Sequence, residues 1–114
     1  MEDDKWYTLV FISSAKIRVN KFGQEQVFYD VYCLDDSNVY TLIVSHRHLA
    51  RQLAKLHLDY GLKTLKGVKM CLKRVPRIIV TKSGEKKVYR YFIRDVTILK
   101  RNEFEEILRR VGLL

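Results

Sequence analysis

The spacing of the apolar residues changes sharply in the middle of the chain. Over residues 6–44 they come in short runs rich in β-branched and aromatic types, separated by polar turns, which is typical of strands. Over residues 45–60, Leu49, Leu53 and Leu56 recur at intervals of four and three, the spacing of one face of an α-helix. Strand-like runs then resume. The pattern predicts a mainly β fold with one helix inserted among its strands.

The strand-like runs number five, and turn residues separate them. They cover residues 6–19, 27–34, 39–44, 68–80 and 87–99. Ser13 and Ser14 fall in the middle of the first run, where small side chains favour a bend or bulge. Pro76 lacks an amide hydrogen and predicts an edge or a bulge in the fourth strand. The last two runs read as one long hairpin.

The inserted helix and a second, C-terminal helix both have predicted ends. Ser45 is a suitable N-cap for the first helix, and Gly61 is a suitable stop. A shorter helix is expected over about residues 102–111, with Asn102 as its N-cap. Its apolar face either caps the core or docks on another copy or another protein, and consists of Phe104, Ile107, Leu108 and Val111.

The length and composition fit one domain. The chain has 114 residues, of which 47% are hydrophobic, so residues 1–114 can form a single core. No run of about 18 uncharged apolar residues predicts a membrane span, and no secretory signal is visible. Cys33 and Cys71 lie far apart in apolar runs, which favours buried, reduced thiols. We therefore expect a cytoplasmic protein.

Positive charge is concentrated in one part of the chain. The net charge is +9, yet residues 1–65 carry eight basic and eight acidic residues. Residues 66–101 carry twelve basic residues against Glu85 and Asp95, a net charge of +10. Such a density of like charge repels itself in the folded state. It predicts a polyanionic partner, although a merely soluble basic surface is the alternative.

Catalytic and metal-binding patterns are weak. His46 and His48 point to different faces of the predicted helix, and His57 lies on another. Asp35 and Asp36 are adjacent in a polar turn, so their side chains face apart. A glycine-rich phosphate loop and a paired nucleophile are absent from the sequence. We expect a protein without catalytic activity, metal or cofactor.

Aromatic and basic residues are interleaved in a way that suits single-stranded nucleic acid. Bases stack on flat rings while Lys and Arg neutralise phosphates. Asp30 marks the solvated side of the second strand, because an unpaired carboxylate is costly in a core. Alternation then predicts that Phe28 and Tyr32 are exposed stacking rings, and Tyr40 on the next strand extends them. Packing of these rings under a loop or at a subunit interface is the alternative.

The element order resembles that of the oligonucleotide/oligosaccharide-binding fold, or OB-fold. The resemblance covers residues 6–99 and rests on that order, on the helix between the third and fourth strands, and on the start of the fourth strand at Lys66-Gly67-Val68-Lys69. It implies a five-stranded barrel plugged at one end by the helix. The alternative architecture is another α+β sheet, such as a winged-helix-like module with an enlarged hairpin wing.

The resemblance also implies which loops flank a bound strand. They are the loop with Lys21 and Phe22 and the hairpin tip with Lys82, Lys86 and Lys87. Further candidate binding residues come from the basic segment, where Arg90, Phe92 and Arg94 share a strand face. Lys69 and Lys73 on the fourth strand complete the set.

These features lead to three hypotheses about function. The first is sequence-tolerant binding of single-stranded DNA in replication, recombination or repair. RNA binding is the close alternative, because discrimination depends on contacts to the 2′-hydroxyl. The third is an adaptor subunit whose basic hairpin binds an acidic protein surface and whose last helix docks on a partner.

Overall fold

The computed structural model describes residues 2–44 and 47–114. Its elements in chain order are β1 (Trp6–Phe11), β2 (Lys16–Val19), β3 (Glu25–Cys33), β4 (Val39–Val44), α1 (Arg47–Tyr60), β5 (Val68–Thr81), β6 (Gly84–Ile98) and α2 (Arg101–Arg110). The mainly β fold with an inserted helix is confirmed. Gly61 follows α1 with a φ of 62°, a conformation that glycine adopts without steric cost. The predicted N-cap Ser45 and His46 lie outside the described residues.

The strands form one open antiparallel sheet in the order β2-β3-β1-β5-β6, and β4 also pairs with β3. Residues 27–32 of β3 pair with β4. Within the same stretch β3 pairs with β2 at Val27 and with β1 at Val31. β1 and β2 therefore share one edge of β3, and β4 occupies the other edge.

The prediction of five strands was wrong, because the first predicted strand is divided in two. The division falls at Ser13 and Ser14, the position where a bend was expected. The Asp30 amide of β3 donates to the Ser13 hydroxyl oxygen at 2.9 Å, so a side chain takes the place of a ladder carbonyl. The Ile12 amide donates to the Asp30 carbonyl at 3.0 Å. The ladder is thus interrupted while its polar groups stay paired.

One face of the sheet, here called the inner face, carries the main core. In β1 the inner face bears Tyr7, Leu9 and Phe11, which pack with Leu49 and Leu53 of α1. These helix residues are the ones that the four-and-three spacing singled out. The amphipathic helix therefore packs its apolar stripe on the sheet, as the sequence predicted.

The opposite, outer face carries a smaller second core under α2. Val10, Ile12 and Tyr32 are buried there together with Ile107 of α2. Phe104, Leu108 and Val111 are partly buried against the same cluster. The apolar face of the last helix therefore caps the chain's own core, which is the first of the two alternatives from the sequence.

The start of α2 differs slightly from the prediction. The helix begins at Arg101 after Lys100, so Asn102 lies in the first turn rather than at the N-cap. Glu103 accepts a hydrogen bond from the Lys100 amide at 3.2 Å. This carboxylate satisfies an amide that has no partner within the helix.

The predicted closed barrel was also wrong. Barrel closure requires the free edge of β6 to pair with another strand, but α1 packs against both β4 and β6. At this edge the Tyr91 amide donates to His48 Nδ1 at 3.0 Å, and Gln52 Nε2 donates to the Tyr91 carbonyl. Two helix side chains thus take the hydrogen bonds that a closing strand would make. The sheet therefore stays open and curves around α1.

The two cysteines are both free thiols. Cys33 is buried, as expected, and burial raises the pKa of its thiol. Cys71 is only partly buried, which corrects the expectation for that residue. Within the described part of the chain, neither helix has the length and apolar character that crossing a lipid bilayer requires.

Candidate nucleic-acid interface

A row of three side chains crosses the outer face on three neighbouring strands. Trp6 of β1 is in register with Lys73 of β5, and Lys73 is in register with Phe92 of β6. The Lys73 ammonium lies 5.0 Å from the Trp6 ring centroid and 5.8 Å from that of Phe92. Phe92 is 43% exposed. The row therefore places a cation between two aromatic rings.

Arg94 extends this row along β6. Its guanidinium carbon lies 3.9 Å from the Trp6 ring centroid. The side chain also forms an ion pair with Asp95 at 3.6 Å, but both partners are exposed, and such pairs contribute little to stability. Arg94 is thus held over the indole while its side chain stays 54% exposed.

A bulge in β6 lies next to Arg94. Cys71 pairs with Arg94, whereas Lys69 two residues earlier pairs with Thr97, so β6 carries one extra residue. Asp95 takes the left-handed φ of 55° that this requires, and Asp tolerates that region better than most residues. Because of the extra residue, Thr97 and not Val96 lies opposite Lys69 beyond Arg94.

Two further cations flank the row on the same face. Arg90 lies two residues from Phe92 on β6, is exposed, and pairs with Val75. Lys69 lies nearer α2, where it lines a shallow depression with Glu103 and Glu106. We name this surface the platform: it comprises Trp6, Lys69, Lys73, Arg90, Phe92 and Arg94.

The prediction that Tyr32 is an exposed stacking ring was wrong. Alternation correctly placed Phe28, Asp30 and Tyr32 on one face, since the second core on that face includes Tyr32. However, α2 covers the face at this point, and Tyr32 is only 4% exposed. Tyr32 therefore packs inside the molecule, under α2, instead of forming part of a stacking surface.

Tyr40 does not extend the predicted stacking rings of β3 either. It pairs with Val31 and packs against the main core, on the inner face. Its hydroxyl donates to the Asp36 carboxylate. This hydrogen bond lowers the pKa of Asp36 and raises the pKa of Tyr40. Tyr40 thus fixes the β3–β4 turn.

Phe28 remains on the outer face but lies apart from the platform. In the antiparallel pair of β1 and β3, Val10 is opposite Tyr32, so Phe28 and Trp6 lie on opposite sides of the core that α2 covers. Phe28 is partly buried, with Arg18 5.3 Å and Lys16 5.9 Å from its ring centroid. It forms a second, smaller aromatic and basic site.

The two predicted loops are both exposed. In the β2–β3 turn, the Lys21 ammonium lies 5.1 Å from the Phe22 ring centroid, and the Asn20 side chain accepts hydrogen bonds from the amides of Phe22 and Gln24. At the β5–β6 end of the long hairpin, Lys82 lies in the turn. β6 begins at Gly84, so Lys86 and Lys87 lie in the strand, paired with Ile79 and Ile78, rather than in the predicted tip. Asp3 approaches Lys87 at 3.8 Å.

Trp6 was not among the residues predicted to bind. It lies in a nearly continuous apolar run, which predicts a strand but does not by itself show which of its residues face the core. The sequence does contain a signal for the outward face of β1, because Thr8 is the polar residue of this strand, as Asp30 is of β3. Tyr7, Leu9 and Phe11 then fall inside, and Trp6 falls on the outer face.

Among residues 2–44 and 47–114, no group of three or more His, Cys, Asp or Glu side chains is placed to hold a metal ion. In comparisons with known proteins, the chain matched no family model, no curated protein and no solved structure.

Proposed function

We propose that this chain binds single-stranded DNA on the platform, without sequence specificity and without catalysis, in support of DNA replication, recombination or repair. The observation that carries the proposal is the row Trp6–Lys73–Phe92, in which rings and a cation alternate across three adjacent strands. Neighbouring strands are about 4.8 Å apart, so the two rings are roughly 10 Å apart across the sheet. This spacing leaves room for a phosphate at the cation, with one base on Phe92 and another on the Arg94 guanidinium that lies over Trp6.

Stacking supplies the sequence-tolerant part of the affinity. Every base has a flat π-face, and base–aromatic stacking contributes about 1–3 kcal/mol for each base. Arg94 over the Trp6 ring enlarges the stacking surface, because bases also stack on guanidinium planes. The rings need no hydrogen-bond pattern from the base, so we expect little base preference.

Attraction between basic side chains and phosphates supplies the remainder of the affinity. Lys69, Lys73, Arg90 and Arg94 all lie on the same face of β5 and β6. Each phosphate contact in a single strand releases counterions and contributes about 0.7 to the salt slope of binding. With the excess of positive charge in residues 66–101, this favours a polyanion over an acidic protein patch. The adaptor hypothesis also needed the apolar face of α2, which packs on the sheet.

The test is fluorescence anisotropy of labelled single-stranded DNA, the same sequence as RNA, and blunt duplex DNA, each at two salt concentrations. We expect single strands to bind more tightly than blunt duplex. Phe92→Ala should weaken binding by about 1–3 kcal/mol and leave the salt slope unchanged. Phe92 is 43% exposed and belongs to neither core cluster, so the variant should keep its fold.

Tyr60→Ala is the matched control. Tyr60 is 47% exposed, close to the 43% of Phe92, but it lies at the end of α1 on the other side of the sheet. Its removal should change neither affinity nor salt slope. The proposal fails if Phe92→Ala binds single strands as tightly as the parent, or if no oligonucleotide binds at about 0.15 M salt.

A further inference from the structure

The β5–β6 hairpin extends well beyond the core as a two-stranded ribbon. Its pairs run without interruption from Arg77↔Val88 to Thr81↔Gly84, and every residue from 77 to 87 is exposed. The molecule is correspondingly elongated, with extents of 52 × 30 × 28 Å. We call residues 77–87 the ribbon. Both of its faces are available to a partner.

The N-terminal segment holds the base of the ribbon in place. The Asp4 amide donates to the Arg74 carbonyl at 2.8 Å, and the Asp3 carboxylate pairs with Arg74 Nε at 2.8 Å. The same carboxylate lies 3.8 Å from the ammonium of Lys87, which pairs with Ile78 near the base of the ribbon. These contacts fix the direction in which the ribbon leaves the sheet.

The ribbon differs from the platform in its chemistry. It carries four cations against the single carboxylate Glu85, and it has no aromatic ring. Instead it exposes aliphatic side chains, with Ile78 69% and Val80 83% accessible. Unstacked bases need rings to stack on, so the ribbon is poorly suited to a single strand. Cations with aliphatic side chains suit the backbone and groove of a duplex.

The dimensions also fit a duplex. The major groove of B-DNA is about 12 Å wide and admits a two-stranded β-ribbon. At about 3.4 Å per residue, the five residues from Arg77 to Thr81 span roughly 14 Å between the first and the last. The alternating faces present Arg77 and Lys86 on one side and Lys87 on the other, so cations can reach both walls of the groove.

The ribbon and the platform are parts of the same two strands. Phe92 lies five residues beyond Lys87 on β6, a distance of roughly 17 Å along the strand. A single strand on the platform and a duplex on the ribbon can therefore belong to one DNA molecule. We propose, on the basis of the function proposed above, that the ligand is a DNA junction, with its single-stranded arm on the platform and its duplex arm on the ribbon.

The experiment compares three labelled DNA probes by anisotropy: a ten-nucleotide single strand, a blunt ten-base-pair hairpin, and that hairpin with the ten-nucleotide strand as an overhang. Two linked contacts bind more tightly than either alone, so we expect the junction to bind at least about tenfold more tightly than the single strand. An RNA junction should show no such gain, because the major groove of A-form RNA is deep and narrow.

The variant Lys82→Ala/Lys86→Ala should remove most of the junction gain and leave single-strand affinity unchanged. Both side chains are exposed, so folding should not be affected. Arg51→Ala/Lys55→Ala is the matched control, since it removes the same charge from the exposed side of α1 and should change neither affinity.

The outcomes separate this inference from the proposed function. If the single strand binds but the junction binds no more tightly, the junction inference is wrong and the platform stands. If the ribbon variant weakens single-strand binding as much as junction binding, the ribbon serves the single strand and the inference is again wrong. If the single strand does not bind at all, the proposed function itself is wrong.

Discussion

At the scale of single residues, the outer face shows that alternation and burial are separate properties. Asp30 was expected to mark the solvated side of β3, and its own carboxylate is partly exposed and pairs with the Lys16 ammonium. Yet Tyr32, two residues away on the same face, is buried with Ile107 of α2. Alternation along a strand assigns a side chain to one face of the sheet. Whether that face is exposed to solvent depends on a helix from another part of the chain.

This placement predicts different costs for two rings on one strand face. Tyr32→Ala should destabilise the fold by about 3–5 kcal/mol, because it leaves a cavity between the sheet and α2. Phe28→Ala, at a partly exposed site, should cost about 1 kcal/mol. Urea unfolding followed by circular dichroism measures both. Equal, small costs would contradict the position of α2 over Tyr32.

At the scale of elements, the hydrogen bonding at the edge of β6 distinguishes an open sheet from a closed barrel. The hydrogen bonds of Tyr91 with His48 and Gln52 satisfy the backbone where a closing strand would pair. An exposed strand edge is prone to pairing with other chains, and α1 protects this part of it. Barrel closure and helix protection are therefore competing ways to satisfy the same edge.

The hydrogen bond from the Tyr91 amide to His48 can be tested directly. His48→Ala removes the acceptor, and a typical net contribution of about 1 kcal/mol corresponds to roughly fivefold faster exchange of that amide. Hydrogen–deuterium exchange by NMR measures it. Arg51→Ala, an exposed change on the same helix, should leave the exchange rate as it is. Unchanged exchange in His48→Ala would show that another group protects this edge.

Much of the element pattern could be predicted from the sequence, because it rests on local periodicity. The spacing of Leu49, Leu53 and Leu56 predicted α1, and Ser13 and Ser14 marked the break that separates β1 from β2. The open sheet could not be predicted in this way. It depends on hydrogen bonds between His48, Gln52 and Tyr91, which are 43 and 39 residues apart and leave no periodic signal.

At the scale of the whole molecule, the basic segment is divided between two surfaces of different chemistry. The platform combines cations with Trp6 and Phe92, whereas the ribbon combines cations with aliphatic side chains. The charge excess and the shared face of Arg90, Phe92 and Arg94 were predictable from composition and alternation. The position of Trp6 beside them was not predicted, because it arises from the pairing of β1 with β5.

The central claim is that single-stranded DNA lies on the platform. The intrinsic fluorescence of Trp6 can report this binding without an added label. It is the sole tryptophan of the chain, and Lys73 and Arg94 lie against its ring. A base that stacks there, or draws these cations to a phosphate, changes the surroundings of the indole.

The decisive measurement is therefore a titration of the intrinsic tryptophan fluorescence with unlabelled single-stranded DNA. We predict a saturable quenching of Trp6 emission, with a midpoint that shifts to higher DNA concentration in Phe92→Ala and stays in place in Tyr60→Ala. Binding of the same DNA by anisotropy with no change in Trp6 emission would contradict the account, because the strand would then lie on another surface.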